Sequence, residues 1–319
     1  MQGPTAPTAS WFSLDWPEGA GPGVEPRYRD FEGHHHLVAL NHDEPGVADL
    51  VVEVMEYWLG RGADGWRLDA AYAVPSSFWA GLTGRIRGSH PDAYFVGEYI
   101  HGDYASEVEA GGLDSATQYE LWKAVWSSLN DANFFELDSA LDRHNALLAT
   151  FAPLTFIGNH DVTRIASKLA DPELLPHAVV VLLTIGGTPS IYYGDEQGYR
   201  GVKEDRSGGD DDVRPLFPPT PADLSPVGAP VFEVHQQLVG LRRRHPWLHR
   251  ATTEVLQLSN EVLVYRVSDG HQALVVALNL IHDLQRVDAG GTSGVLAGGA
   301  TIEGDGRAAL PPRGWAVLG

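Results

Sequence analysis

Asp64-Gly65-Trp66-Arg67-Leu68-Asp69 reads as a short strand ending on an acid, and the fold follows from what recurs around it. Just upstream, Val47, Leu50, Val51, Val54 and Trp58 fall at i, i+3, i+4, i+7 and i+11, with Pro45 near the start. That is the period of a helix, which Gly60 and Gly62 stop. Downstream, candidate strands Gly65–Asp69, Tyr94–Glu98, Ala116–Tyr119, Leu154–Asn159 and Pro189–Tyr193 alternate with helical stretches. The helices are Ser76–Ser89, Glu120–Leu129, Leu137–Thr150 and Leu174–Leu183. Such alternation predicts βα units on a parallel sheet, with chemistry at the C-terminal ends of the strands.

Two more candidate strands deliver acids: Phe95-Val96-Gly97-Glu98 and Phe156-Ile157-Gly158-Asn159-His160-Asp161. Carboxylates at strand ends suit glycoside hydrolysis. One ionised group attacks the anomeric carbon while a second, with a raised pKa, protonates the leaving oxygen. Singly, each acid reads as a helix cap or an ion-pair partner. The three in this order are far more specific.

In that order the segments resemble the α-amylase family of glycoside hydrolases. Gly65-Trp66-Arg67-Leu68-Asp69 is similar to its fourth-strand motif, Gly97-Glu98 to the end of its fifth, and Asn159-His160-Asp161 to its seventh. Gly187-Thr188-Pro189-Ser190-Ile191-Tyr192-Tyr193-Gly194-Asp195-Glu196 is similar to its eighth-strand segment, and Leu40-Asn41 with Pro45 to its approach to strand four. The resemblance implies Asp69 as nucleophile with Arg67 holding it ionised, Glu98 as acid/base, and Asp161 with His160 binding sugar hydroxyls at the transition state. It implies net retention through a covalent glycosyl-enzyme. Trp66 points away from Arg67 in a strand and is expected in the core, which leaves Tyr72 and Tyr99 as the aromatic substrate-binding candidates.

The family usually places a Lys-His pair three and four residues after the nucleophile; Tyr72 and Ala73 stand there instead. The strand-three segment Asp-x-x-x-Asn-His is missing, because Asn41-His42 is preceded by Leu37 where the Asp belongs. A complete barrel needs about 250 residues, roughly 31 per βα unit, and strands one to three find no candidates before Gly65. The expected fold class is therefore α/β: an incomplete (β/α)₈ TIM barrel lacking about its first three strands, followed by a small all-β sandwich. Its domains would be a loop-rich remnant over 1–45, the barrel over 46–248 and the sandwich over 249–319. A last helix is expected over Val231–Arg244, then strands Val255–Leu258, Val262–Val267 and Ala273–Leu278 with period two.

The expected function is retaining hydrolysis of α-glucosidic bonds in oligo- or polysaccharides. The alternatives are a glucosyl-transferring member and a catalytically inactive fragment that only binds carbohydrate. A formal charge of −20 disfavours nucleic acid and anionic lipid as partners but leaves neutral sugars unpenalised. The absence of cysteine excludes disulfides, thiolate metal sites and Cys nucleophiles. No cofactor is expected and no metal site. His34-His35-His36 reads as a solvated loop, since three consecutive side chains cannot face one ion, and Asp210-Asp211-Asp212 as a solvated acidic loop rather than a calcium site. Met1–Ser10 has neither a basic nor an apolar signal region, so a cytoplasmic location is expected.

Overall fold

The computed structural model describes residues 2–319, and the chain divides into two compact units, Met1–Ala116 and Thr117–Gly319.

In the first unit, β1 (Leu14–Asp15) pairs antiparallel with β2 (Arg27–Tyr28), and β3 (Asp30–Phe31) with β4 (His34–Val38). The three histidines thus lie on an exposed strand rather than in the expected loop. Pairing with β3 orders them, and His35 Nδ1 meets Asp30 Oδ2 at 2.6 Å. Helix α1 (Pro45–Leu59) has Pro at its first position and the Glu44 carboxylate accepting from the Gly46 N–H. Both features suit a helix start, where proline loses no bond and a side-chain oxygen satisfies an orphan donor. Val47, Val52, Met55 and Leu59 are its buried face. Then come β5 (Gly65–Leu68), α2 (Ser76–Ser89), β6 (Tyr94–Gly97), α3 (Tyr104–Gly111) and β7 (Ser115–Ala116). The three strands form a parallel sheet in the order β5-β6-β7. A methyl at Gly65 would overlap the Tyr94 carbonyl, so only glycine lets β5 approach β6 this closely.

The second unit begins with Thr117 bridged in parallel to Leu154. The strand expected over Ala116–Tyr119 is shorter than its pattern because Tyr119 already opens α4 (Tyr119–Asn130), its ring packed edge-on against Phe156. After α5 (Phe134–Leu148) come β8 (Leu154–Phe156), the single turn α6 (Ile165–Lys168), α7 (Leu175–Thr184) and β9 (Thr188–Ser190), which pairs parallel to β8. Helix α8 (Ala229–Arg244) leads into the antiparallel strands β10 (Thr252–Leu258), β11 (Val262–Ser268), β12 (Ala273–Asn279), β13 (Gln285–Asp288), β14 (Val295–Gly298), β15 (Thr301–Ile302), β16 (Arg307–Leu310) and β17 (Trp315–Leu318). They form a five-stranded sheet, β10-β11-β12-β17-β14, and a three-stranded sheet, β13-β16-β15.

Strand alternation explains how these layers hold. On β11, Leu263, Tyr265 and Val267 face a core shared with α4, α5, α7 and α8, whereas Val262 and Val264 share a second core with Val287 of β13 and Leu310 of β16. The five-stranded sheet is thus covered on both faces, by helices on one and by the small sheet on the other. Helix α7 carries only His177 and Thr184 as polar residues and is buried except at Pro176, as a helix without a polar face must be. Its Thr184 hydroxyl and the Tyr265 hydroxyl are 2.8 Å apart, and His177 Nε2 meets the Asn279 carbonyl at 3.3 Å, tying the helix to β11 and β12. No helix among the described residues is long and apolar enough to cross a membrane.

Burial pushes His144 and His177 down to about 4, despite the carbonyls of Gly186 and Asn279 that oppose the shift. Both folded-state values lie below the ordinary 6.5, so the unfolded chain takes up these protons first. The stability they contribute is complete above pH 6.5 and is lost as pH falls towards 4, on the order of 3 kcal/mol per histidine. In His177→Gln, the urea midpoint should fall less steeply between pH 6.5 and 4 than in the wild type. Parallel slopes for the two proteins would refute the assignment.

Candidate active site

Asp69 follows β5 by one residue and Glu98 follows β6 by one residue, so neighbouring parallel strands deliver both acids at their C-terminal ends. Arg67 connects them. Its Nη2 lies 2.7 Å from Glu98 Oε1, and its Nη1 pairs with Asp69 Oδ1. The second Glu98 oxygen accepts from the Ala70 N–H at 2.9 Å, with Ala70 in the left-handed region at φ 43°. The two acids are not equivalent: the Asp69 side chain is 78% exposed and that of Glu98 8%. An open carboxylate beside a buried one on a shared cation suits two different tasks, attack and proton delivery.

Tyr72 sits against this pair. Its hydroxyl donates to Glu32 Oε1 at 3.0 Å, and its ring lies 6.0 Å from that of His101 and 6.5 Å from that of Phe31. Burial pushes the phenol up to about 12, helped by the Glu32 hydrogen bond and by the charges of Glu32, Glu98 and Asp69. It therefore remains a donor at any working pH. Tyr99 does not fit its expected role. It is 1% exposed, its ring lies against Gly97, and burial pushes its hydroxyl up to about 12. The chain turns inward after Glu98, which strand-end position alone does not reveal, so the ring is core rather than a sugar platform. Trp66 is partly buried, in line with its direction opposite Arg67.

In the second unit, Asp161 lies five residues beyond the end of β8. The Asn159 side chain accepts from the Asp161 N–H at 2.9 Å while donating to the Tyr119 hydroxyl at 2.8 Å, which stiffens the turn. His160 Nε2 is 3.1 Å from Asp161 Oδ2. Arg214 reaches Asp161 Oδ1 at 3.0 Å through Nη2, Asp210 Oδ2 at 2.9 Å, and the His160 carbonyl at 3.0 Å through Nε. The sequence singles out only the acidic run Asp210-Asp211-Asp212 just before Arg214, not Arg214 itself. A residue so far along the chain has no local pattern to mark it as a partner of Asp161. Asp210 is likewise an ion-pair residue, joined to Lys203 as well as Arg214. Among the described residues, no three His, Asp or Glu side chains are grouped to hold a metal ion.

Comparison with known proteins adds an independent finding. Residues 27–249 match the family described as alpha amylase, catalytic domain. The chain is 27% identical over 280 residues to a cyclomaltodextrinase of Geobacillus thermopakistaniensis, covering 84% of this chain and 45% of that protein. It is 26% identical over 260 residues to a cyclomaltodextrin glucanotransferase of Bacillus licheniformis, covering 78% and 34% respectively. The chain thus spans less than half the length of either relative. The Nostoc punctiforme debranching enzyme superposes with a TM-score of 0.81 at 25% identity, over 100% of this chain and 71% of that one. The fold is accordingly of TIM-barrel type.

Replacing Arg67 by Leu removes from the buried Glu98 the guanidinium that it shares with Asp69. The expected loss is on the order of 2–3 kcal/mol at pH 7, seen as a lower denaturant midpoint at unchanged slope. An unmoved midpoint would mean that the guanidinium does not hold the pair.

Proposed function

The chain belongs to the α-amylase family, and from that premise we propose that it breaks α-glucosidic bonds of oligo- or polysaccharides with retention, passing the glycosyl group to water or to another sugar. Asp69 attacks the anomeric carbon while Glu98 gives its proton to the departing oxygen, leaving a β-glycosyl-enzyme. Glu98 then takes a proton from the incoming water or sugar hydroxyl, which attacks from the opposite side and restores the α configuration. Arg67 lowers the cost of keeping Asp69 charged. Asp161 and His160 hold sugar hydroxyls as the ring flattens, and Tyr72 offers an aromatic face beside the acids. The role of Tyr99 is packing.

The observation that carries this reading is the single guanidinium shared by an exposed and a buried carboxylate at the ends of adjacent parallel strands. A cyclomaltodextrinase and a glucanotransferase among the relatives make water and sugar equally consistent acceptors. We further infer that residues 46–248 form the catalytic part and 249–319 an all-β appendage, with 1–45 as a loop-rich subdomain.

The test is turnover of an aryl α-glucoside by this chain. Glu98→Gln should lower the rate about 10²- to 10⁴-fold, and Asp69→Ala should bring it to the buffer background. The first sugar product detected by proton NMR should be the α anomer, and the ratio of free glucose to transfer product identifies the acceptor. A wild-type rate equal to that of Asp69→Ala would sink the enzymatic reading.

A further inference from the structure

Arg164 heads the fully buried side chains by size, yet it belongs to neither carboxylate cluster. A guanidinium cation is costly to bury, and here Nη2 finds no hydrogen-bond partner among the described residues, so the partners of its other donors reveal what it does. Its Nη1 donates to Asp195 Oδ1 at 2.9 Å and to the Tyr193 carbonyl at 2.6 Å, its Nε to the Val213 carbonyl at 3.2 Å, and its main-chain N–H to the Gly201 carbonyl at 3.1 Å. The cation also lies 4.4 Å from the centre of the Tyr192 ring and 5.0 Å from that of Tyr193. Every partner of its side chain and of its main-chain N–H falls within 192–213, the stretch that follows β9. The next residue is Arg214, whose guanidinium holds Asp161.

The other end of the arrangement converges on the same acid. Arg164 lies three residues after Asp161, and Gly158 three residues before it. A methyl at Gly158 would overlap the Asp195 carboxylate, so Asp195 packs directly on the backbone leading into Asp161 while it binds the side chain leading out. Burial pushes the Asp195 carboxyl up to about 7 against the pull of Arg164. A buried acid under that strain is an expensive way to fill space, and it is explained if its contacts set geometry.

We propose that Arg164 and Asp195 form a buried clamp that positions Arg214 against Asp161, making both positioning residues for that acid. Arg164 pins the segment that carries Arg214 by its carbonyls at Tyr193, Gly201 and Val213, and Asp195 braces the backbone on which Asp161 sits. The inference rests on the proposed role of Asp161 only where turnover is the readout; its geometric part stands apart from activity.

The test uses the full chain and Asp195→Asn, which keeps the shape and removes the charge. A crystal structure of this variant should show the 3.0 Å contact between Arg214 and Asp161 broken. Turnover of the aryl α-glucoside should fall about 10- to 100-fold in kcat with KM little changed, as for a misplaced reacting group. In an Arg214→Ala background the same substitution should change kcat less than twofold, because the residue being positioned is already gone. An intact Arg214–Asp161 contact, or equal kcat losses in the two backgrounds, would overturn the clamp. If the wild type turns over no glucoside, the proposed activity fails and the crystal structure alone decides the clamp. Should Asp195→Asn not fold, Arg164→Lys takes its place: it keeps the cation but cannot reach three carbonyl and carboxylate partners at once, and the same contact is examined.

Discussion

A carboxylate can sit at the end of an apolar strand, away from water, only if a cation or a set of N–H donors comes with it. In this chain arginine meets that demand for the enclosed acids Glu98 and Asp195, and it also pairs with the more open Asp69 and Asp161. Arg67 serves Asp69 and Glu98, Arg214 serves Asp161, and Arg164 serves Asp195. A planar guanidinium with five donors in a fixed fork can hold two groups in defined positions at once, which an ammonium cannot. Arg67 does so for the two acids of the first unit, and Arg164 for a carboxylate and two backbone carbonyls of the second. These bonds fix where the acids point, and the surrounding strands and helices fix where the arginines start.

The second unit shows how the remaining architecture supports such a placement. Helix α7 has no polar face, so it must be enclosed, and the five-stranded sheet encloses it from one side through Tyr265 and its neighbours. Because β11 and β12 alternate apolar residues on both faces, the sheet needs a second cover, which the small sheet of β13, β15 and β16 supplies. Buried neutral His177 and His144 are the acid-sensitive joints of this core.

How much was legible varies with how local the cause is. Helix α2 was readable to its end residues, and α4, α7, β11 and β12 within one or two, because hydrophobic period and capping chemistry act over a few residues. The Ala116–Tyr119 strand was over-read because its last residue, Tyr119, opens helix α4 and packs on Phe156. The histidine run became a strand because β3 offered a partner, which no property of three histidines could announce. Tyr99 was misplaced for a similar reason: its direction depends on how the backbone turns beyond β6.

By itself the sequence determined the alternation of strands and helices, the acid after each key strand and the family. Each of these is written in patterns spanning a few residues. Only the tertiary structure decided that Arg67 also holds Glu98 and that Arg214 holds Asp161, that Glu98 is enclosed while Asp69 is open, and that Arg164 and Asp195 bracket Asp161. The physical reason is separation along the chain. Arg214 is 53 residues from Asp161, and Asp195 is 31 from Arg164. Contacts at such distances are set by packing of whole elements, and composition or period carries no record of them.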